Sequence, residues 1–201
     1  MPEEEPIREK LTFAMGCFWG PEDRFARLPG VTATRVGYSG SQPLPAPDTG
    51  SANAAFPARD GSRITDESDH QPSSPSDSLI LRTADIPRVP THRRLEGHSE
   101  TVEVEFDPGV VSLEELLEKF WSMHNPQAIE GYKPEDSRYR SLLFYRDEQQ
   151  RELMERVRRE MAAKGRNSEA TALLPVGPFY PAEEKHQRYE EKKRERNRAK
   201  L

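Results

Sequence analysis

Hydrophobic and polar positions along this chain form two patterned stretches, separated by one without periodicity. Leu11 to Met15 is an apolar run of strand length, and Pro21 to Leu28 follows helical spacing with Phe25 and Leu28 inward. Pro29-Gly30 stops that helix, and Val31 to Tyr38 alternates as a strand. Thr101 to Phe106 has a period of two that puts Val102, Val104 and Phe106 on one face, and Asp107-Pro108-Gly109 then turns the chain. Ser112 and Glu115 have the spacing of a capping box, and Leu113, Leu116, Leu117, Phe120 and Trp121 line one face of the helix they open. Tyr139 to Tyr145 reads as a strand, Asp147 to Lys164 as a charged helix, and Ala170 to Leu174 as a last short strand. This order predicts an α/β (α+β) two-layer sandwich with a ferredoxin-like core: a mixed or antiparallel sheet with helices on one side.

Residues 41–88 are rich in Pro, Ser, Asp and Gly and hold too little apolar surface to offset the entropy of ordering them. A flexible insertion is expected there, with Leu79-Ile80-Leu81 as a patch able to dock. The chain then divides into an N-terminal tail (1–10), one catalytic domain (11–190) interrupted by 41–88, and a charged tail (191–201). Hydrophobic residues make up 33% of the chain and charged residues 32%, so much of its length is solvated. No apolar run reaches membrane-spanning length, and the acidic start Met1-Pro2-Glu3-Glu4-Glu5-Pro6 lacks the features of a secretory signal. A soluble, cytoplasmic monomer is expected. The net charge of −5 disfavours nucleic acid as a partner. The mixed charges of residues 185–200 read as a solvated helix or a frayed tail rather than a binding patch.

Cys17 is the single cysteine, in Gly16-Cys17-Phe18-Trp19-Gly20, where strand passes into helix. A thiol at a helix N-terminus meets the positive end of the backbone dipole and unpaired N–H groups, which favour the thiolate; a nucleophile is expected here rather than a small buried hydrophobe. One cysteine cannot close an internal disulfide, so redox chemistry at Cys17 must finish with an outside thiol.

Glu100 follows Gly97-His98-Ser99 at the head of the strand to Phe106. Buried near Phe18 and Trp19, it would hold its proton at neutral pH and serve as an acid; the other reading is an exposed strand-end carboxylate continuous with Glu103 and Glu105. His92, His98, His124 and His186 lack metal-ligand spacing, so no metal is expected, and a Cys/His nucleophile pair stays open. The aromatic stretch Phe179 to Tyr189 is expected to pack back onto the domain.

Gly16-Cys17-Phe18-Trp19-Gly20, Val36-Gly37-Tyr38-Ser39-Gly40, Gly97-His98-Ser99-Glu100, Arg138-Tyr139-Arg140-Ser141 and Phe179-Tyr180-Pro181-Ala182-Glu183, in this order, resemble the A-type peptide methionine sulfoxide reductases. The resemblance covers residues 11–40 and 89–190. It implies that Cys17 attacks the sulfoxide sulfur, Glu100 protonates the oxygen, Tyr139 hydrogen-bonds that oxygen, and Phe18 and Trp19 receive the substrate methyl group. It also implies the S epimer, a sulfenic acid on Cys17 and no bound cofactor. The chain departs from the family at three places. Asn-Pro-Thr-Tyr becomes Val89-Pro90-Thr91-His92, so an imidazole stands where the family has a second hydroxyl donor: either His92 donates to the substrate oxygen or that role is lost. A family aspartate has only Asp136 as its counterpart, and the resolving cysteines found in many members are absent. Recycling would then fall to thioredoxin, glutathione with glutaredoxin, or another thiol. Two further readings stay open: a methionine-sulfoxide-binding or regulatory module on the same fold, and a Cys/His acyl-transfer enzyme.

Overall fold

Among the described residues, six strands form one sheet in the order β5-β4-β1-β3-β2-β6. The computed structural model describes residues 7–41, 88–132 and 136–200. Its elements are β1 (Glu9–Met15), α1 (Trp19–Ala26), β2 (Val31–Ser39), β3 (Ser99–Phe106), α2 (Leu113–Met123), a short α3 (Pro126–Glu130), β4 (Ser141–Tyr145), α4 (Glu148–Ala163), β5 (Ala172–Pro175), β6 (Tyr180–Pro181) and α5 (Tyr189–Arg198). Neighbouring strands are antiparallel except β4 and β5, which run parallel. The units β1-α1-β2 and β3-α2-β4 interleave, each leaving room for a strand of the other, which is the ferredoxin-like arrangement. The mixed sheet and two-layer architecture expected from the residue pattern are those observed.

Helices α1, α2 and α4 cover one face of the sheet. Leu11, Phe13 and Met15 of β1 and Val102, Val104 and Phe106 of β3 are buried there against Phe25, Leu116, Leu117, Phe120, Met154 and Val157. Fully burying such a side chain contributes roughly 1.5–3 kcal/mol, so this layer holds the sheet in register. The other face carries a smaller apolar group, Ala14, Leu142, Phe144 and Leu174. The nearly buried Glu103 is neutralised by Lys10, Arg35 and Arg146.

Several boundaries differ from those the pattern predicts. Strand β1 starts at Glu9, inside the expected tail, because Glu9 and Lys10 pair with Phe106 and Glu105. Helix α1 starts at Trp19 and takes Pro21 into its first turn, where a missing N–H loses no intrahelical bond. The alternation of β2 breaks: the register shifts between Val31 and Ala33, and Val36 to Ser39 are all buried. Strand β4 begins at Ser141, leaving Tyr139 and Arg140 in the loop before it. Residues 191–198, expected as tail, are part of α5. That helix buries none of its residues but is tied to α1 by Arg194, whose two terminal nitrogens meet the Asp23 carboxylate at 3.0 and 2.7 Å. The flexible insertion expected over 41–88 lies outside the described residues except for its ends, Ser41 and Arg88, and the Leu79-Ile80-Leu81 patch lies wholly outside them. Among the described residues, no helix is long and apolar enough to cross a membrane.

Candidate active site

The chain leaves β1 through Gly16, whose φ of +88° lies in the left-handed region that glycine enters without a Cβ penalty. Cys17 and Phe18 follow, and α1 begins with no capping side chain of its own. The free N–H groups of its first turn need acceptors, and two nearby groups supply them. Phe18 N–H donates to Glu100 Oε2 at 3.1 Å, and the Trp19 N–H meets the Cys17 sulfur. Strand β3 thus caps α1 from across the sheet.

Glu100 is only 1% exposed and lies opposite Tyr38 in the β2–β3 register. Burial pushes its carboxyl up to about 7, against the pull of the Phe18 N–H, Arg138 and the Cys17 thiol, while Asp136 adds to the rise. Glu100 Oε1 is buried without a hydrogen-bond partner among the described residues; His92 Nε2 stands 3.6 Å away and Arg138 Nη1 3.8 Å away.

Cys17 is exposed as a residue, yet its thiol is partly withdrawn from water. Burial pushes the thiol up, the Trp19 N–H pulls it down, and the Glu100 carboxylate pushes it up again. The expectation that the helix N-terminus would favour a resting thiolate is therefore corrected. One N–H does lower the thiol's pKa, but desolvation and a facing carboxylate outweigh it. Between about pH 7 and the raised range of the thiol, the two groups together hold one proton.

The other residues singled out in the sequence surround this pair. Tyr139 is half-buried, and its phenol is pushed up first by burial and then by the charges of Glu100 and Cys17. The Phe18 ring is buried, with centroids 5.8 Å from His186, 6.0 Å from Tyr38 and 6.5 Å from His92. Trp19 is more open: it stacks on Tyr189 at 4.0 Å and donates from Nε1 to His186 Nδ1 at 3.2 Å. His92 stacks on His186 at 4.5 Å. Asp136 Oδ1 accepts the Arg138 N–H at 2.9 Å, and its other oxygen is 3.7 Å from Arg138 Nε. It holds Arg138, which in turn donates to the His92 carbonyl at 2.9 Å.

Sequence reasoning did not single out Arg138, Tyr38, Glu183 and Tyr189 as site residues, nor His186 beyond its place among the histidines. Tyr38 OH donates to Glu183 Oε2 at 2.8 Å, and the His92 N–H donates to Glu183 Oε1 at 3.3 Å. The aromatic density of Phe179 to Tyr189 was the available signal: this stretch packs back on the domain and forms a wall of the site. His98 and His124 have structural surroundings instead. His98 Nδ1 meets the Leu95 carbonyl at 2.8 Å. His124 sits between the Phe120 carbonyl and Ser141 Oγ, with burial holding it down to about 4. Among the described residues, no group of three or more His, Cys, Asp or Glu is placed to hold a metal ion.

The peptide methionine sulfoxide reductase family model matches residues 9–48 and 89–200. The chain belongs to this family. Similar to it is peptide methionine sulfoxide reductase MsrA of Methanothermobacter thermautotrophicus, 36% identical over 92% of this chain and 87% of that protein. In fold it is similar to reduced Mxr1 from Saccharomyces cerevisiae, with a TM-score of 0.63 at 23% identity, covering 96% of this chain and 88% of the other. Mxr1 in complex with Trx2 aligns with a TM-score of 0.50 at 18% identity, over 94% and 89% of the two chains. This A-type family member is an oxidoreductase, and its reaction is the reduction of methionine sulfoxide.

Proposed function

We propose that this reductase returns methionine S-sulfoxide, free or within proteins, to methionine by nucleophilic attack of Cys17 on sulfur. In this reading the Cys17 proton passes to Glu100 and from there to the sulfoxide oxygen, which is a poor leaving group until it is protonated. Tyr139 donates a hydrogen bond to the same oxygen, and Phe18 and Trp19 receive the methyl group. The substrate's sulfur–oxygen bond breaks, the hydroxyl adds to the Cys17 sulfur while the bond between the two sulfurs breaks and returns its electron pair to methionine, which leaves, and Cys17 is left as a sulfenic acid. The thiol's own proton ends on that hydroxyl, so this half of the reaction is balanced without an outside proton. An external thiol then reduces Cys17. Thioredoxin is the favoured donor, in line with the Trx2 complex of the related Mxr1, and glutathione with glutaredoxin is the other.

The observation that carries the reading is the contact of the Cys17 thiol with a buried carboxyl held near the pH of the cell. Reduced protein mixed with a methionine S-sulfoxide peptide, without reductant, should form about one methionine per chain and gain one oxygen atom on Cys17, trapped by a sulfenic-acid reagent. Methionine formation by Cys17→Ser, or an R-sulfoxide peptide consumed as fast, would contradict it.

A further inference from the structure

We propose that His92 is the proton conduit between the buried acid Glu100 and water, serving the half of the cycle in which the Cys17 sulfenic acid is reduced. The inference rests on the function proposed above and adds a role for the residue by which this chain departs from its family's pattern.

That half-reaction needs a proton the first half does not. An incoming thiolate forms a disulfide bond to Cys17 while the sulfur–oxygen bond breaks, and hydroxide leaves only if it takes up a proton and becomes water. The balance is sulfenic acid, thiolate and one proton giving mixed disulfide and water; a second thiolate then releases Cys17. Glu100 is the acid beside this sulfur, but at 1% exposure it cannot recover its proton from solvent directly.

Its two oxygens face different ways. Oε2 is engaged by the Phe18 N–H, whereas Oε1 is buried with no hydrogen-bond partner among the described residues. Among the described residues, the basic side chains that approach Oε1 are those of Arg138 and His92. Arg138 Nη1 is 3.8 Å away, but a guanidinium does not release its proton in the working pH range. His92 Nε2 is 3.6 Å away, and its side chain is 32% exposed, so one end of the ring faces the carboxyl while the residue reaches water. An imidazole can take a proton at one nitrogen and give one from the other, which a tyrosine hydroxyl at this position could not do in the same pH range.

The charged groups around His92 suit such a carrier. Glu100 on β3 attracts a proton to it, as does Glu183, just before the 3-10 turn Glu184–His186. Arg138 from the loop before β4, Lys185 and the stacked His186 oppose a lasting charge. Burial and Arg138 hold the ring below the ordinary histidine range, so it is neutral at rest and does not trap the proton it carries.

The test is steady-state methionine formation with 2-mercaptoethanol as the thiol, on wild type, His92→Ala and His92→Phe, each checked for native folding by near-ultraviolet circular dichroism. Both variants should turn over roughly tenfold or more slowly. Added imidazole should restore His92→Ala in proportion to the imidazole present and leave wild type unaffected. Rescue is the readout that a purely structural role would not move, and His92→Phe keeps the stacking surface while lacking ring nitrogens. Wild-type turnover in His92→Phe, or a folded His92→Ala that imidazole does not rescue, would overturn the proposal. A wild-type protein that forms no methionine would instead overturn the proposed function on which it rests.

Discussion

The Phe18 N–H and Glu100 Oε2, 3.1 Å apart, join the start of α1 to the start of β3 at the reacting groups. The bond fixes the carboxyl beside Cys17 and gives the uncapped helix an acceptor. It does not offset the cost of removing the carboxylate from water, and that balance has consequences for stability as well as for catalysis.

The folded-state pKa of Glu100 is raised to about 7 from an ordinary 4.5. The folded protein therefore binds this proton more tightly than the unfolded chain does. The contribution of Glu100 to stability is fully present below about pH 4.5 and is lost as pH rises through about 7. Above that window its charge costs on the order of 3 kcal/mol. Glu100→Gln keeps an oxygen for the Phe18 N–H and removes the charge. Urea denaturation should show the variant more stable than wild type at pH 8, with the gap closing at pH 5. A gap that does not depend on pH would contradict this.

Trp19 Nε1–H is the donor to His186 Nδ1, and His186 is buried. Trp19→Phe leaves that nitrogen without its partner and should cost about 1–2 kcal/mol in denaturant unfolding. It also removes part of the wall stacked on Tyr189, so KM for a sulfoxide peptide should rise more than kcat falls.

Gly37 pairs with Pro181 at the join of β2 and β6. A Cβ there would lie 2.6 and 2.7 Å from atoms of the Phe179 ring and closer still to the Tyr180 carbonyl. Since a backbone atom is in the way, β6 has to shift, and the Tyr38–Glu183 bond shifts with it. Gly37→Ala should lose about 2 kcal/mol or more of stability and slow methionine formation. Unaltered stability would show that β6 moves freely.

Arg194→Ala removes the two-pronged contact with Asp23 that ties α5 to α1. Amide hydrogen exchange should quicken in α5 while the sheet stays protected. Because both partners are partly exposed, the difference between variant and wild type should shrink in molar salt.

Sheet order and the helical layer were legible because β1, β3 and α2 have strong periodicity and the capping box at Ser112 marks its helix directly. The shift of β2 was not: it comes from an irregularity in pairing with β3, which no local pattern records. Cys17 and Glu100 could be picked out by residue type, but their contact joins residues 83 positions apart and follows only from the β1–β3 register. The state of the thiol is not legible from the helix terminus alone, because the burial and facing carboxylate that oppose it come from tertiary packing. Arg138 lies in Arg138-Tyr139-Arg140-Ser141 and His186 in the aromatic stretch Phe179 to Tyr189, but nothing local assigns either a role; their importance lies in what reaches Glu100 Oε1 and Trp19 Nε1.

The most direct test of the central claim is the single-turnover rate of methionine formation against pH, for wild type and Glu100→Gln. One proton shared between Cys17 and Glu100 gives wild type a bell-shaped profile. It should rise through about pH 7 as the pair loses its first proton and fall above the ordinary thiol range as it loses the second. In Glu100→Gln the limb near pH 7 should vanish, and the rate at neutral pH should drop by about 100-fold or more. A variant that keeps the wild-type rate and the wild-type profile would show that Glu100 does not supply the proton.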